Sequence, residues 1–359
     1  MVGGSEIAID ELTRHLPDTL FDIVTPRFES SQPKFERRDN RAIHRLGTGS
    51  VVDKFLFPVT GFMYGLRLLA RHRYQAIHAY QASYGALAAV MVKSHHPRTP
   101  LIVTLQEGKD LGRQFFGIRL MRRYVLRHAD RITAISSYLK GYARQINPRA
   151  RIDLIPNGID PDHFKRTPSN IRPRLASAAG PIVMTVSRLV PKNGVGDLVR
   201  AFSILKQSHQ FALTNLVIIG SGPLELDLKS LVRALKIEQS VRFLGTIPYP
   251  DLPGYLSAAS VFVRPSRSEG LGSAFLEAMA CGVPVIGSRV GGITDIIIDR
   301  KTGLLCEAGN PEDVAHKIST ILSDPILAEE LARQGRALVE REYTWQTAAD
   351  KFRKLYEEL

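Results

Sequence analysis

The sequence predicts an α/β protein with two domains, each built on a parallel sheet that helices cover on both faces. Short runs rich in Val and Ile alternate with helical stretches, and this alternation occurs twice, on either side of residue 160. Continuous apolar strands between helices are typical of parallel sheets buried on both faces. A length of 359 residues fits about two domains of ordinary size. We therefore expect two Rossmann-like domains whose parallel sheets face each other across a cleft.

The composition is that of an ordinary globular protein, with 44% hydrophobic and 23% charged residues. No apolar run approaches the ~20 residues that cross a bilayer. Glu6, Asp10 and Glu11 occupy the place where a signal peptide has its apolar core. Two cysteines, Cys281 and Cys306, fit a reducing compartment. We therefore expect a soluble, cytoplasmic protein rather than a secreted, disordered or membrane-spanning one.

The N-terminal domain is predicted to cover residues 1–160. Its strand-forming runs lie at residues 21–25, 76–79, 101–105, 131–136 and 152–155. Its helices include residues 55–71 and 82–93. A Rossmann-like domain opens with a strand, whereas this chain goes directly into an amphipathic helix over residues 7–16. We expect that the usual first strand is missing or that the true start lies upstream.

The C-terminal domain is predicted to cover residues 161–342, after a break in the pattern that continues as a polar, proline-spaced stretch over residues 160–179. Its strands are predicted at residues 181–186, 216–220, 241–244, 261–265 and 283–288. Helical segments separate these strands. The last segment, residues 343–359, is predicted to be a helix that packs back toward the N-terminal domain.

Positive charge is concentrated in the N-terminal domain, where 24 basic and 14 acidic residues give +10 of the total charge of +13. Its arginines cluster as Arg37, Arg38, Arg41 and Arg45, as Arg67, Arg71 and Arg73, and as Arg119, Arg122, Arg123 and Arg127. Such a face attracts the phosphates of an anionic membrane or a charged substrate, although each single cluster is also explained as a solvated face. No nucleic acid is expected as a partner, because the clusters lack interleaved aromatic residues and a recognition motif.

Ligands of open parallel sheets bind beyond the carboxyl ends of the strands. After the strand at 181–186, Arg188 and Lys192 stand on one loop, where a guanidinium fork and an ammonium group can hold a diphosphate together. After the strand at 216–220, Gly220 and Gly222 allow a tight turn and a close approach to a ligand. Taken alone, the first loop is also explained by two solvated charges, and the second by a plain strand-to-helix turn.

The segment after the strand at 261–265 combines an anion-binding feature with two carboxylates. A helix is predicted to start near residues 271–273, and the free N–H groups and dipole of a helix N-terminus favour a diphosphate. Glu269 lies on the preceding loop, free to meet a sugar or a developing positive charge. Glu277, two turns into the helix, can accept both hydroxyls of a ribose. The neighbours of Glu277 in the sequence are mostly apolar. This pattern disfavours the alternative that Glu277 is an exposed residue with no function.

Glu269 and Glu277, separated by seven residues and followed by Ala-Met-Ala-Cys-Gly-Val-Pro-Val, resemble the signature of glycosyltransferase family 4, whose members are retaining enzymes of the GT-B fold. The resemblance extends to motifs at residues 155–160, 187–189, 220–223, 291–292, 302–305 and 343–345. It covers nearly all of the C-terminal half and scattered points of the N-terminal half. The ordered set is specific, although each motif alone is not.

The resemblance implies roles for these residues. The implied catalytic residues are Glu269, at the transferred sugar, and Arg188 and Lys192, at the donor diphosphate. The implied donor-binding residues are Glu277, Gly270, Leu271, Gly272, Gly222, Gly3 and Gly4. Among these, Gly3 and Gly4 are expected to lie against the donor phosphates from the opposite domain.

One departure from the family pattern lies on the acceptor side. Many members have His-Gly after the strand that corresponds to residues 101–105, and that histidine faces the reacting sugar, whereas this chain has Gln106-Glu107-Gly108. Gln106 and Glu107 are therefore acceptor-side candidates without an assigned catalytic role. His78, at the end of a strand, is a third candidate, and a histidine satisfied in the core explains it equally well.

Asp160-Pro161-Asp162 has the Asp-x-Asp pattern that holds a metal in other nucleotide-sugar transferases, but it lies in the predicted interdomain linker. We interpret it as a turn. We expect no essential metal and no cofactor besides the nucleotide-sugar co-substrate.

The leading hypothesis is a retaining glycosyltransferase that moves a sugar from a nucleotide diphosphate to an acceptor hydroxyl in glycolipid or cell-surface polysaccharide biosynthesis. Its expected partners are a nucleotide sugar, a glycan or lipid-linked acceptor and, through the basic N-terminal half, the inner face of an anionic membrane. The alternatives are a non-catalytic nucleotide-sugar-binding subunit and an epimerase of the same fold. An epimerase would interconvert free nucleotide sugars without an acceptor.

Overall fold

The computed structural model describes residues 4–108, 115–167, 171–175 and 180–359, and the chain divides into two units. Unit 1 contains Met1–Gly158 and Trp345–Leu359, and unit 2 contains Ile159–Thr344. Gly3, a predicted donor-binding residue, lies outside the described residues.

The strands of unit 1 form two sheets. They are β1 (Phe21–Pro26), β2 (Phe35–Arg38), β3 (Arg41–Leu46), β4 (Ile77–Tyr80), β5 (Leu101–Leu105), β6 (Arg131–Ala134) and β7 (Arg151–Leu154). The first sheet has the order β1-β3-β2, in which β1 is parallel and β2 antiparallel to β3. The second is parallel throughout, with the order β4-β5-β6-β7.

The sequence predicted the strands of unit 1 except β2 and β3. Residues 35–46 are rich in arginine, so no continuous apolar run marks them as strands. In the structure, Arg41 of β3 is 3% exposed and pairs with Asp10. Arg45 pairs with Glu36 at 2.7 Å between the two strands. The expectation of a solvated or phosphate-attracting cluster is therefore wrong for Arg41, because its charge is used inside the fold.

Helices cover both sheets of unit 1. They include α1 (Gly4–Arg14), α2 (Val51–Leu69), α3 (Tyr84–His95), α4 (Phe116–His128) and α5 (Ser137–Ile146). The first turn of α2 is fixed by Asp53, whose Oδ2 accepts hydrogen bonds from the N–H groups of Thr48, Gly49 and Ser50 at 2.7, 2.7 and 3.0 Å. These backbone donors hold the pKa of Asp53 below its usual value.

Unit 2 is built on one parallel sheet of six strands. They are β8 (Ile182–Val186), β9 (Asn215–Ile219), β10 (Val241–Gly245), β11 (Val261–Arg264), β12 (Val285–Ser288) and β13 (Leu304–Cys306). The strand order is β10-β9-β8-β11-β12-β13. Strands β9 and β10 therefore lie on one side of β8, and β11, β12 and β13 lie on its other side. The carboxyl ends of β8 and β11 therefore flank a topological switch point, where doubly wound sheets bind ligands.

Helices also surround the sheet of unit 2. They include α6 (Arg172–Leu175), α7 (Val195–Leu205), α8 (Glu225–Ala234), α9 (Leu252–Ala258), α10 (Ser273–Ala280), α11 (Ile293–Ile296), α12 (Pro311–Ser323) and α13 (Pro325–Glu342). Phe202 of α7 and Ile318 of α12 lie in the hydrophobic core beside Val263 of β11. The sequence predicted five of the six strands and missed β13, whose three residues are too short for a clear run.

The last helix, α14 (Trp345–Glu357), packs within unit 1. Its buried residues Trp345, Phe352 and Leu355 share a core cluster with Leu12 of α1 and Ile102 of β5. The helix is thus an integral part of the unit 1 core.

Ion pairs hold the end of this segment to the sheet. Arg131 of β6 is 8% exposed and donates to Glu358 at 2.9 Å. Arg151 of β7 donates to the same carboxylate at 2.5 Å. Among the described residues of either unit, no helix is both long and apolar enough to cross a membrane.

We expect Phe352→Ala to lower the free energy of unfolding of unit 1 by about 3–5 kcal/mol, because it leaves a cavity in the α1–α14 core. Urea unfolding followed by the fluorescence of Trp345, the chain's one tryptophan, reports on unit 1. Lys351→Ala, at an exposed position of the same helix, is the control and should change stability by less than about 0.5 kcal/mol. If Phe352→Ala lost no more stability than the control should lose, the α1–α14 core would not contribute to the stability of unit 1.

Candidate active site

The loops after β8 and β11 meet at the switch point of unit 2. Arg188 follows β8 and is exposed, and Lys192 lies four residues later in a single helical turn, Pro191–Asn193. The Asn193 side-chain amide closes this loop by donating to the Arg188 carbonyl at 2.7 Å. The Arg267 N–H donates to the Lys192 carbonyl at 2.7 Å, which ties the β8 loop to the β11 loop.

Close packing of these loops explains two glycines. Gly194 has φ +67°, and a Cβ there would lie 1.9 Å from the carbonyl oxygen of Pro265. At Gly222, a predicted donor-binding residue, a Cβ would lie 2.5 Å from the carbonyl oxygen of Leu189. The Leu189 N–H in turn donates to the Ser221 carbonyl at 3.0 Å. The loops after β8, β9 and β11 therefore form one hydrogen-bonded surface, and glycine is required where two backbones touch.

Glu269 is held by cations. Its Oε2 accepts from Arg264 Nη2 at 2.5 Å and lies 3.8 Å from Lys192 Nζ, while its Oε1 accepts from the Gly270 N–H at 3.0 Å. Its side chain is 13% exposed. The sequence predicted that Glu269 is free on its loop and did not identify Arg264. Arg264 is buried, and its guanidinium lies 5.0 Å from the centre of the Phe275 ring. The sequence did contain a signal for this role, because Arg264 is a charged residue at the end of the otherwise apolar strand β11.

The segment from Gly270 to Gly272 leads directly into α10. Leu271 is 2% exposed, so its side chain anchors the loop while the backbone remains at the carboxyl edge of the sheet. Gly272 has φ +100° and occupies the position before the first helical residue, Ser273. The predicted helix start near 271–273 is confirmed.

Glu277 is the fifth residue of α10, little more than one turn into the helix instead of two. Burial raises its pKa to about 7, and Arg264 acts in the opposite direction. No hydrogen bond to its carboxylate comes from any of the described residues. A half-buried carboxylate without a hydrogen-bond donor is costly, which favours a ligand that supplies one.

Two charged residues keep the β11 loop in place. Asp197 of α7 is 5% exposed and accepts from Arg267 Nε at 3.2 Å and from Arg267 Nη2 at 2.9 Å. This forked contact fixes the loop that carries Glu269. The sequence gave no sign of Asp197, because its partner lies 70 residues away.

His78 of β4 is satisfied inside unit 1. Its Nδ1 is 2.8 Å from the Tyr356 hydroxyl and its Nε2 is 2.6 Å from Thr104 Oγ1. Burial lowers the pKa of His78 to about 3, so the imidazole is neutral. These contacts favour the alternative interpretation of His78, a histidine satisfied in the core, because both ring nitrogens already have partners.

Glu107 is also used inside unit 1. Its two carboxylate oxygens accept from the N–H groups of Ala82 and Gln106, each at 2.9 Å, and Arg122 Nε lies 3.6 Å away. Glu107 is 9% and Arg122 5% exposed. Burial raises the pKa of Glu107, while the Arg122 charge opposes that rise. In the structure, Glu107 links the loops after β4 and β5 to helix α4. Arg122 is buried, so it does not belong to the exposed basic cluster.

The remaining candidates are placed as follows. Gln106 is half-buried, and its side-chain amide donates to Asn157 Oδ1 at 3.0 Å. Gly4 is the first residue of α1. Asp160 Oδ1 accepts from the N–H groups of Asp162 and His163 at 2.8 and 3.2 Å, which confirms that the Asp-x-Asp triplet forms a turn.

A doubly wound sheet with cations and carboxylates at its switch point places this chain among the α/β proteins that bind ligands at that edge of the sheet. The family model of "Glycosyl transferases group 1" matches residues 169–338, and that of "Glycosyltransferase Family 4" matches residues 2–163. The chain belongs to this glycosyltransferase family, and its fold is GT-B.

Characterised relatives agree with this assignment. The chain is 30% identical over 301 residues to the GDP-mannose-dependent alpha-(1-6)-phosphatidylinositol monomannoside mannosyltransferase of Mycolicibacterium smegmatis, covering 80% of this chain and 78% of the relative. It is 28% identical over 293 residues to the N-acetyl-alpha-D-glucosaminyl L-malate synthase of Bacillus anthracis, covering 80% and 75%. The chain is therefore a glycosyltransferase, and these relatives support neither a non-catalytic subunit nor an epimerase.

Solved structures share the fold. The sucrose-phosphate synthase of Thermosynechococcus elongatus superposes with a TM-score of 0.86 at 25% identity, covering 99% of this chain and 94% of that one. Anabaena HepE, solved in complex with UDP and glucose, gives a TM-score of 0.81 at 19% identity, covering 99% and 96%.

We expect Glu107→Ala to destabilise unit 1 by about 3–5 kcal/mol, because it removes the acceptor of the buried Ala82 N–H and the counter-charge of Arg122. Urea unfolding monitored by Trp345 fluorescence measures the loss. Glu107→Gln keeps an oxygen acceptor and should lose less. If Glu107→Ala were as stable as the wild type yet failed to bind acceptor, the carboxylate would have to be a direct substrate contact.

Proposed function

We propose that this chain transfers a sugar from a nucleoside diphosphate sugar to a hydroxyl of a glycan or lipid-linked acceptor, with retention at the anomeric carbon. The observation that carries the proposal is the position of three residues at one switch point. Glu277, a half-buried carboxylate that takes no hydrogen bond from the described residues, follows β11, and Arg188 and Lys192 follow the neighbouring strand β8. A carboxylate and two cations match the ribose diol and the diphosphate of one donor.

The donor diphosphate lies, in this proposal, against the loops after β8 and β11. Arg188 is exposed, and Lys192 retains 36% of its side-chain exposure, so both can reach a ligand. The backbone N–H groups near Gly270, Leu271 and Gly272 precede α10 and add to the positive potential there. As the bond to the sugar breaks, these groups stabilise the charge that gathers on the leaving diphosphate.

Glu269 orients both the sugar and its surroundings. Arg264 and Lys192 compensate the negative charge of Glu269 within the protein, so this carboxylate does not depend on solvent for its partners. This arrangement holds Lys192 near the departing diphosphate. A pre-arranged set of charges lowers the barrier because it needs no reorganisation during the reaction.

The acceptor proposed is lipid-linked. The mannosyltransferases of Mycolicibacterium smegmatis and Corynebacterium glutamicum are named for GDP-mannose as the donor and for a phosphatidylinositol mannoside as the acceptor. These names support a sugar–lipid acceptor and a role in glycolipid or cell-surface polysaccharide biosynthesis. A peripheral location on the inner face of a membrane is proposed from the positive charge of the N-terminal half. GDP-mannose and UDP-glucose are the donors to test first.

We also propose that turnover needs no metal and no cofactor beyond the donor. The Asp160 side chain caps a turn, which supports a structural role for the Asp-x-Asp triplet. Arg188 and Lys192 supply the charge that a divalent cation supplies in other transferases.

We expect Arg188→Ala and Lys192→Ala each to reduce kcat/KM by about 10²–10³-fold, because each removes a charge that stabilises the leaving diphosphate. Release of nucleoside diphosphate from the tested donors measures turnover, with and without EDTA. Lys229→Ala is the matched control, since Lys229 is an exposed lysine of the same unit that pairs with Glu225. Full activity in the Arg188 and Lys192 variants, or loss of activity in EDTA, would contradict the proposed mechanism.

Nucleoside diphosphate binding should weaken as the pH falls through about 7. Because burial raises the pKa of Glu277 to about 7, the carboxyl is protonated below that pH and cannot accept both ribose hydroxyls. The dissociation constant should rise about tenfold from pH 8 to pH 6. Calorimetry of wild type and Glu277→Gln separates this carboxyl from the titration of the phosphates, since the variant keeps only the latter. Identical pH profiles would remove Glu277 from the ribose site.

A further inference from the structure

Two cations approach a single oxygen atom of the Glu269 carboxylate. Its Oε1 accepts from the Gly270 N–H at 3.0 Å, so Oε2 is the oxygen that faces the neighbouring cations. Arg264 Nη2 donates to Oε2 at 2.5 Å, and Lys192 Nζ lies 3.8 Å from the same atom. Arg264 is therefore the nearer of the two cations, and Lys192 is beyond hydrogen-bond distance.

Packing fixes Arg264 beside Glu269. Arg264 is 7% exposed, and its guanidinium lies over Phe275, whose ring packs edge-on against Phe262 with centroids 5.4 Å apart. Gly272 leaves room for this stack, since a Cβ there would lie 2.7 Å from Phe275 Cδ2 and 3.5 Å from Arg264 Nη2. Among the residues that the structure describes, Glu269 provides the hydrogen-bond acceptor of this guanidinium, whose Nε has none.

Lys192 is less constrained than Arg264. Its side chain is 36% exposed and stands on the single helical turn Pro191–Asn193. A lysine carries its charge on a flexible stem, so the ammonium group can turn from a carboxylate to a ligand. The two cations therefore differ: Arg264 stays with Glu269, and Lys192 can reach a phosphate.

Removal of the Arg264 charge would leave Glu269 without its nearest counter-charge. The Glu269 side chain is only 13% exposed, and an uncompensated carboxylate at such a position is costly. Lys192, at 3.8 Å, is close enough to take the place of Arg264. A lysine engaged in that way would no longer offer its charge to a diphosphate.

We propose that Arg264 is a positioning residue for the donor diphosphate, because it neutralises Glu269 and thereby leaves Lys192 available to the phosphates. The inference rests on the proposed function, in which Lys192 binds the diphosphate. Arg264 acts through Glu269 and Lys192 and does not itself contact the donor. Glu269 can then orient Lys192 without cancelling its charge.

Binding of UDP and GDP to the full chain, measured by calorimetry, tests the proposal. Arg264→Met keeps an apolar side chain over Phe275 but removes the charge, and it should weaken diphosphate binding about tenfold or more. Arg242→Met is the matched control, because Arg242 is an exposed arginine of β10 in the same sheet. The control should bind like the wild type.

The titration of Glu277 must be kept apart from this effect. Burial raises its pKa to about 7, and Arg264 opposes that rise, so Arg264→Met raises the pKa of Glu277 further. Measurement at a pH of about 8.5 keeps the Glu277 carboxyl largely ionised. The nearby Cys281 thiol is neutral at this pH, since burial raises its pKa to about 12, and Arg336 of α13 is unchanged in all variants.

Glu269→Gln gives a readout that a merely structural role of Arg264 would not move. In the wild-type background Arg264 already neutralises Glu269, so Glu269→Gln should change diphosphate affinity less than about threefold. In the Arg264→Met background it removes the carboxylate that captures Lys192, and about tenfold of affinity should return. Turnover should remain low in the double variant, because Glu269 is assigned to the transferred sugar. Equal effects of Glu269→Gln in both backgrounds would overturn the proposal, since the two charges would then act independently.

Lys192→Ala completes the test. In this background Arg264→Met should weaken diphosphate binding less than about threefold further, because the lysine through which Arg264 acts is absent. A full additional loss would overturn the proposal and indicate that Arg264 contacts the diphosphate directly.

Urea unfolding followed by circular dichroism shows whether each variant folds. If Arg264→Met does not fold, Arg264→Gln keeps a hydrogen-bond donor for Glu269 without the charge and should give the same pattern. Wild type that binds neither diphosphate would overturn the proposed donor site together with this inference. Wild type that binds, with Arg264 variants of equal affinity, would overturn this inference alone.

Discussion

The close approach of the loops after β8 and β11 is the constraint on which the candidate site depends. Gly194 permits it, since any Cβ there would meet the Pro265 carbonyl at 1.9 Å. The backbone bond from Arg267 to Lys192 and the fork of Arg267 on Asp197 then fix both loops. With the loops locked together, the cations after β8 and the carboxylates after β11 come to one edge of the sheet.

Arg264 organises the charges of this edge. It is buried at the end of β11, stacks over Phe275, donates to Glu269 and lies close enough to Glu277 to oppose the rise in that residue's pKa. A buried guanidinium is stable here because it has both a carboxylate and an aromatic face. The two glutamates consequently differ: one is engaged by cations, and the other retains its capacity for a ligand.

Unit 1 divides its charged residues between core and surface. Arg41, Arg122 and Glu107 are buried and link strands, helices and loops. The exposed arginines of α4 adjoin exposed aromatic residues instead. Unit 1 therefore uses part of its positive charge inside the fold and leaves another part exposed on helix α4.

The sequence by itself determined the alternation of strands and helices, the break near residue 160, the helix start at Ser273, and the spacing of Glu269 and Glu277, because period and glycine placement are local properties. The sequence did not predict strands β2 and β3, because their arginines are typical of an exposed surface. In the fold, Asp10 and Glu36 neutralise two of these arginines, Arg41 and Arg45. Only the tertiary structure decided that His78 and Glu107 serve the core, that Arg264 holds Glu269, and that Glu277 stays without a donor among the described residues. Those outcomes depend on partners from 5 to 278 residues away and on burial, which set each side chain's hydrogen bonds and pKa.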